Sequence, residues 1–385
     1  MKKIFILVAI FLSILMLAYV PPVLKTWLNS TFGELRLGFW PHFHMGVDFS
    51  TWEGNPKIGI KILSVDDGYV DRIVIDPDDL YGCTIVLSHR NGYKTLYAHL
   101  AGFSKNLKTS TGADISAILQ DFVNRYAVSK DVWKDRLDQM RLDGKKKYGQ
   151  AFEAFTNEDS LYPLCFKEGW AEKPRRIVVK FPKDEIKVRQ GQVVAYSGES
   201  GNVQGPHCHF EVRDQDERFS YDPFSIYPDI LRWIDQPVRN SIVLLKVAVD
   251  GKMYDYSPDK VYEFSGDYPK IAVLAFSDYA VRGYSYRLGL RGLSLSLSGR
   301  TSPIYEVFFD RIPMDEMKKA FLVYDEKLSS LRGKYNAWYD LYPKGDVSVA
   351  KYGDIPRFPD KSTVVITLRD YFGNTKNFNL NLKRK

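Results

Sequence analysis

Apolar and polar residues alternate with period two in several short stretches after the amino terminus, the pattern of half-buried strands. These stretches predict strands over 58–63, 68–75, 83–88 and 93–99, with turn sequences such as Asp66-Asp67-Gly68 and Arg90-Asn91-Gly92 between some of them. From Gly102 to about Arg176 the apolar period lengthens to that of a helix. Stripes over 115–126, 133–140 and 148–155 predict three amphipathic helices. Strand character returns at 177–181, 186–188, 193–197 and the run from Gly205 to Val212. The helical stretch, about 103–176, is therefore expected to interrupt one β domain spanning 23–236. Beyond Pro237, many short apolar runs separated by turns predict an immunoglobulin-like β-sandwich over 237–385. A helix at Met314–Leu322 and a closing hairpin over 364–374 are expected within it.

The first 22 residues read differently. Lys2 and Lys3 precede an unbroken apolar run from Ile4 to Val20, the layout of an export segment. No clear small-x-small cleavage site follows, so the reading is an uncleaved anchor that leaves everything after Pro22 outside the cytoplasm. The 385 residues carry 54 Lys plus Arg against 47 Asp plus Glu, a formal net charge of +7. That excess is spread along the chain, so nucleic acid is not implied, whereas an anionic wall polymer or membrane surface suits it. Cys83, Cys165 and Cys208 have no short paired spacing and indicate no disulfide framework.

Candidate chemistry lies in the strands. In Gly205-Pro206-His207-Cys208-His209-Phe210-Glu211-Val212, alternation puts His207, His209 and Glu211 on one face and Cys208, Phe210 and Val212 on the other. Two imidazoles roughly 6.6 Å apart along a strand let one bind a metal while the other reaches a water; the bland alternative is two solvated histidines. Upstream, His44 and Asp48 share a face with Gly46 between them. A straight strand would hold them about 13 Å apart, so the chain must bend there, and Gly46 permits it. His42 is expected to be exposed. His99 leaves the end of a strand, where a site is easily built; His89, beside a turn, reads as a hydrogen-bonded surface histidine.

Three pieces in this order, His44-x-x-x-Asp48, Tyr97-Ala98-His99-Leu100 and Gly205-Pro206-His207-x-His209-Phe210-Glu211, resemble the lysostaphin-like, or LytM-type, zinc endopeptidases of bacterial cell walls. Phe32-Gly33-Glu34-Leu35-Arg36 and 181–186 look like the envelope-anchored members of Gram-negative bacteria. The resemblance covers roughly 30–102 and 177–225, and the sandwich looks like a tail domain of some relatives. It implies a metallopeptidase core with one Zn2+ held by His44, Asp48 and His209, and His207 and His99 acting on the water and the transition state. Three protein ligands leave a fourth position open for that water. The expectation is an exported enzyme on the periplasmic side of the cell envelope, anchored or secreted, that hydrolyses peptide cross-links of peptidoglycan. Its expected partners are peptidoglycan peptides, the membrane at the amino terminus and envelope proteins at the sandwich. The rival reading is a catalytically inactive activator or binding module of wall hydrolases, whose relatives lack the ligands present here. Cys208, where the family has an aliphatic residue, and a long insertion after Leu100 are the departures.

Overall fold

The computed structural model describes residues 19–38, 40–51, 58–76, 79–113, 115, 142, 145–146, 160–161, 177–300, 302–331 and 335–385. Most of the apolar run Ile4–Val20, Cys165 and the bodies of the three expected helices lie outside them. No helix of the described residues is long and apolar enough to cross a membrane.

The protein is mainly β. In chain order the first fifteen strands are β1 (Leu28–Ser30), β2 (Leu35–Arg36), β3 (His42–Phe43), β4 (Val47–Ser50), β5 (Lys61–Leu63), β6 (Gly68–Ile75), β7 (Thr84–His89), β8 (Tyr93–Ala98), β9 (Leu100–Ser104), β10 (Ser160–Leu161), β11 (Ile177–Lys180), β12 (Lys187–Val188), β13 (Val193–Ser197), β14 (His207–Asp214) and β15 (Phe219–Tyr221). One sheet runs in the order β1-β4-β14-β8-β7-β6-β11, and a second runs β10-β9-β13-β5. The meander β6-β7-β8 is antiparallel, with Gly68 opposite His89 and Ile85 opposite Tyr97. Its alternating side chains bury Val70, Ile73, Ile85 and Leu87 completely. On another part of the sheet Val86, Leu96 and Ala98 cluster, with Tyr81 against them.

The chain forms two compact units, Met1–Thr26, Phe49–Phe210 and Ile226–Ile234 in the first, and Trp27–Asp48, Glu211–Ser225 and Asp235–Lys385 in the second. In the first, β8 ends at Ala98 in the large sheet and β9 starts at Leu100 in the small one. One residue, His99, makes the crossing, in the left-handed region at φ 58°. Strand β9 continues to Ser104, and Ser160 of β10 pairs directly opposite it. β structure therefore reaches into the segment expected to be helical, because Leu100–Ser104 is buried throughout and packs as a strand.

The second unit holds β16 (Arg239–Val249), β17 (Lys252–Asp255), β18 (Val261–Phe264), β19 (Ile271–Val281), β20 (Tyr284–Leu288), β21 (Gly292–Leu297), β22 (Tyr305–Phe308), β23 (Arg311–Pro313), β24 (Trp338–Asp340), β25 (Ala350–Tyr352), β26 (Lys361–Arg369) and β27 (Thr375–Arg384). All of these but β23 form two sheets, β17-β16-β19-β20 with β24 on β19, and β18-β27-β26-β21-β22-β25. The Tyr279 and Phe372 rings stack 5.3 Å apart, and Lys376 Nζ donates to the Ile242 carbonyl at 3.3 Å, so the two sheets meet as a sandwich. The closing hairpin has full register from Lys361↔Lys383 to Arg369↔Thr375. Asp370 closes its turn by accepting the Phe372 and Asn374 N–H groups. The expected helix at Met314–Leu322 is a 3₁₀ helix kinked at Lys319. Within the same unit, β23 pairs with β15, and Phe43 packs edge-on against Phe309.

Candidate metal centre

His44 and Asp48 do not lie on one straight strand. β3 ends at Phe43 and β4 starts at Val47, with a bend at Gly46 between them. The bend brings His44 Nε2 to 3.1 Å from Asp48 Oδ1. His44 Nδ1 lies 2.8 Å from the Thr31 carbonyl, an acceptor only, so this nitrogen carries the proton and donates it. In the neutral ring Nε2 is then a lone pair facing a carboxylate oxygen. Two acceptors at that distance repel unless a proton or a cation lies between them, so this donor set fits a metal ion.

The third member comes from β14, the neighbour of β4 in the sheet. His44, Asp48 and His209 each offer a ligand atom, and these atoms all lie within 4.8 Å of one another. All three residues are buried. Zinc with nitrogen and oxygen ligands at about 2.0–2.2 Å in a tetrahedron needs ligand atoms roughly 3.4 Å apart, the same scale. Arg36 Nη2 lies 3.4 Å from the second carboxylate oxygen of Asp48.

His99 and His207 stand beside this group. Their ring centroids are 4.6 Å apart, and the His99 ring is 5.7 Å from that of His209. His99 Nδ1 lies 2.9 Å from the Ser200 carbonyl, and His207 Nδ1 lies 2.9 Å from the Gly205 carbonyl. Each ring therefore donates through Nδ1 to a backbone carbonyl. The positive φ of His99 is costly for a residue with a Cβ, and its N–H is held by the Tyr81 carbonyl at 3.0 Å. Tyr81 also lays its ring 5.5 Å from that of His209.

Two expectations need correction. His42 is buried rather than exposed, its Nδ1 bonded to the Trp40 carbonyl at 2.7 Å, and it lies outside the group of three. His89 is also buried, bonded to Thr95 Oγ1 at 2.7 Å and the Asp67 carbonyl at 3.0 Å, and burial pulls its pKa below the ordinary value. Both faces of β14 are covered, so the face carrying His209 and Glu211 is not a solvated one. Glu211 stays outside the ligand group and pairs with Arg213 at 2.6 Å. Cys208 turns to the apolar side and is fully buried.

The sequence reading missed the residues that hold these rings. Ser200 supplies the carbonyl under His99, while its Oγ accepts the Cys83 N–H at 2.9 Å and donates to the Leu100 carbonyl at 2.8 Å. In the sequence it is one residue of the turn Gly198-Glu199-Ser200-Gly201. Thr31 and Arg36 act through a backbone oxygen and a long side chain, which no spacing rule finds.

Similar solved structures include a zinc-containing peptidase from Vibrio cholerae at 20% identity and a TM-score of 0.27, over 52% of this chain and 38% of that one. The match thus spans well under two thirds of the V. cholerae chain. The catalytic domain of the prophage-encoded M23 protein EnpA from Enterococcus faecalis matches at 17% identity and a TM-score of 0.26, over 51% of this chain and 88% of that one. The catalytic domain of the antimicrobial peptidase lysostaphin from Staphylococcus simulans matches at 15% identity and a TM-score of 0.25, over 53% and 92%. No match was found among curated proteins. Residues 42–119, the stretch that carries His44, Asp48 and His99, match the model of Peptidase family M23.

Proposed function

We propose that the chain is an exported zinc endopeptidase that hydrolyses the peptide cross-links of peptidoglycan. The observation that carries this reading is the convergence of His44, Asp48 and His209 on one point, with the His99 and His207 rings beside it. The match to Peptidase family M23 supports a peptidase. The Lys2-Lys3 and Ile4–Val20 layout supports an anchor that keeps the enzyme on the periplasmic side of the envelope. Peptidoglycan peptides are then the substrate, and envelope proteins the partners of the sandwich.

In this reading His44, Asp48 and His209 would hold the zinc. Bound there, it would polarise the scissile carbonyl and lower the pKa of a water to about 7. His99 and His207 do the proton work. Because each Nδ1–H is spent on a backbone carbonyl, each ring presents Nε2. One imidazole accepts the proton of the attacking water and later delivers it to the leaving amine; the other, as imidazolium, donates to the developing oxyanion. The complete ligand set weighs against the rival reading of an inactive activator. Digestion of purified sacculi by the zinc-loaded protein, followed by mass analysis of the released muropeptides, tests the proposal. Peptide-bond cleavage that stops on chelation is expected; intact cross-links in the presence of zinc would refute it.

A further inference from the structure

Asp48 is gripped from behind. Its Oδ1 faces His44, while Oδ2 lies 3.4 Å from Arg36 Nη2. The same guanidinium reaches back through Nη1 to Glu34 Oε2 at 3.0 Å and through Nη2 to Ser30 Oγ. Glu34 is itself buried and saturated: Oε2 also accepts from Ser30 Oγ at 2.6 Å, and Oε1 accepts from Thr31 N at 2.9 Å and Thr31 Oγ1 at 2.8 Å. The last donor comes from far along the chain, the Gly289 N–H at 2.7 Å. A side chain at 289 would not fit, since a Cβ there would sit 2.4 Å from Glu34 Cγ.

Gly289 is one of four sandwich residues that hold this loop. Tyr371 OH donates to the Phe32 carbonyl at 2.5 Å, and Tyr324 OH donates to the Gly33 carbonyl at 2.8 Å. Leu35 N donates to Tyr335 OH at 3.1 Å. The loop in turn pairs with the ligand segment, through Gly33 N to the His44 carbonyl and His44 N to the Glu34 carbonyl, both at 2.7 Å.

We propose that Arg36 is a positioning residue that presents Asp48 to the metal through one oxygen, and that the sandwich sets Arg36 by fixing Glu34 through Gly289. The inference rests on the zinc site proposed above. Arg36 touches neither substrate nor reacting atoms; it removes the rotational freedom of the ligand carboxylate. A planar fork that engages two carboxylates in one geometry is a task for which lysine is a poor substitute.

The test uses the full chain, with zinc affinity read by chelator competition, the visible spectrum of the Co2+ form, and melting of the metal-free protein. Arg36→Met and Gly289→Ala are expected to weaken zinc binding by roughly 10–100-fold, the scale for groups that orient a ligand, and to change the Co2+ absorption. Arg36→Lys should recover part of the loss. Leu380→Ala, which empties a fully buried position in β27 of the sandwich, should lower the melting temperature and leave metal affinity alone. Parental affinity and an unchanged Co2+ spectrum in both Arg36→Met and Gly289→Ala would overturn the inference while leaving the zinc site standing. A parental chain that binds neither metal would remove both. Should Arg36→Met not fold, Gly289→Ala and Arg36→Lys decide by the same readouts.

Discussion

A histidine whose Nδ1–H is committed to a carbonyl has one nitrogen left, and what that nitrogen faces decides its part. His44 Nε2 faces Asp48, whereas the His99 and His207 rings lie side by side, tilted, with centroids 4.6 Å apart. His44→Ala, Asp48→Ala and His209→Ala are therefore expected to lose most of their zinc by elemental analysis. His99→Ala and His207→Ala are expected to retain zinc while wall hydrolysis falls by roughly a hundredfold or more. Strand alternation and the Gly46 bend made the pairs His207/His209 and His44/Asp48 legible, because both act on neighbouring residues; that they join with His99 was only what the resemblance implied, and the structure brings His44, Asp48 and His209 together. His42 and His89 were misjudged because their burial comes from segments that no local pattern reveals. The same long-range burial sets a pH dependence. Desolvation pushes Asp222 up to about 6 despite Arg291, and Asp340 up to about 6 despite Lys344. A carboxyl raised on folding adds stability while protonated in the native state, fully below the ordinary aspartate range, and that contribution is lost as pH rises through about 6. The melting temperature of the metal-free protein should on this account gain less, or fall, between pH 5 and 7, and Asp340→Asn should flatten that part of the profile.

At the scale of elements, the crossing between the two sheets of the first unit organises the site. One strand ending at His99 was expected, with helical character from Gly102, and the sequence offers no sign that the chain crosses there into a second strand, β9, in another sheet. The reason is tertiary: Gly198 approaches so closely that a Cβ would lie 2.4 Å from the Ala101 nitrogen, and Ser200 ties Leu100, at the start of β9, to Cys83, beside β7. Ser200→Ala would strand a buried N–H and a buried carbonyl, so a loss of about 1–3 kcal/mol in urea unfolding is expected, along with weaker hydrolysis at unchanged zinc content. The insertion is a separable matter. Ser104 and Ser160 are direct cross-strand partners, so residues 105–159 leave and return at one hairpin position that a short Asn-Gly turn can close. Such a replacement is expected to keep zinc binding. It should also lower stability, since buried Leu107 and Ile115 go with it. A broader set of released muropeptides from the shortened protein would make the insertion a selector of cross-links; an unchanged set would make it a packing element.

For the whole molecule, turn sequences and alternation were enough to read the carboxy-terminal sandwich, down to its last hairpin. They were silent on its attachment, because Gly289, Tyr324, Tyr335 and Tyr371 carry no motif and act through isolated hydrogen bonds on residues 255, 291, 300 and 339 positions away. Those separations also set a schedule. The segment that bears His44 and Asp48 leaves the ribosome among the first residues, but the groups that fix it emerge near the end. Until Tyr371 has been made, a growing chain lacks one of the contacts that hold the loop behind His44 and Asp48, so the candidate metal group gains its full support only late in synthesis.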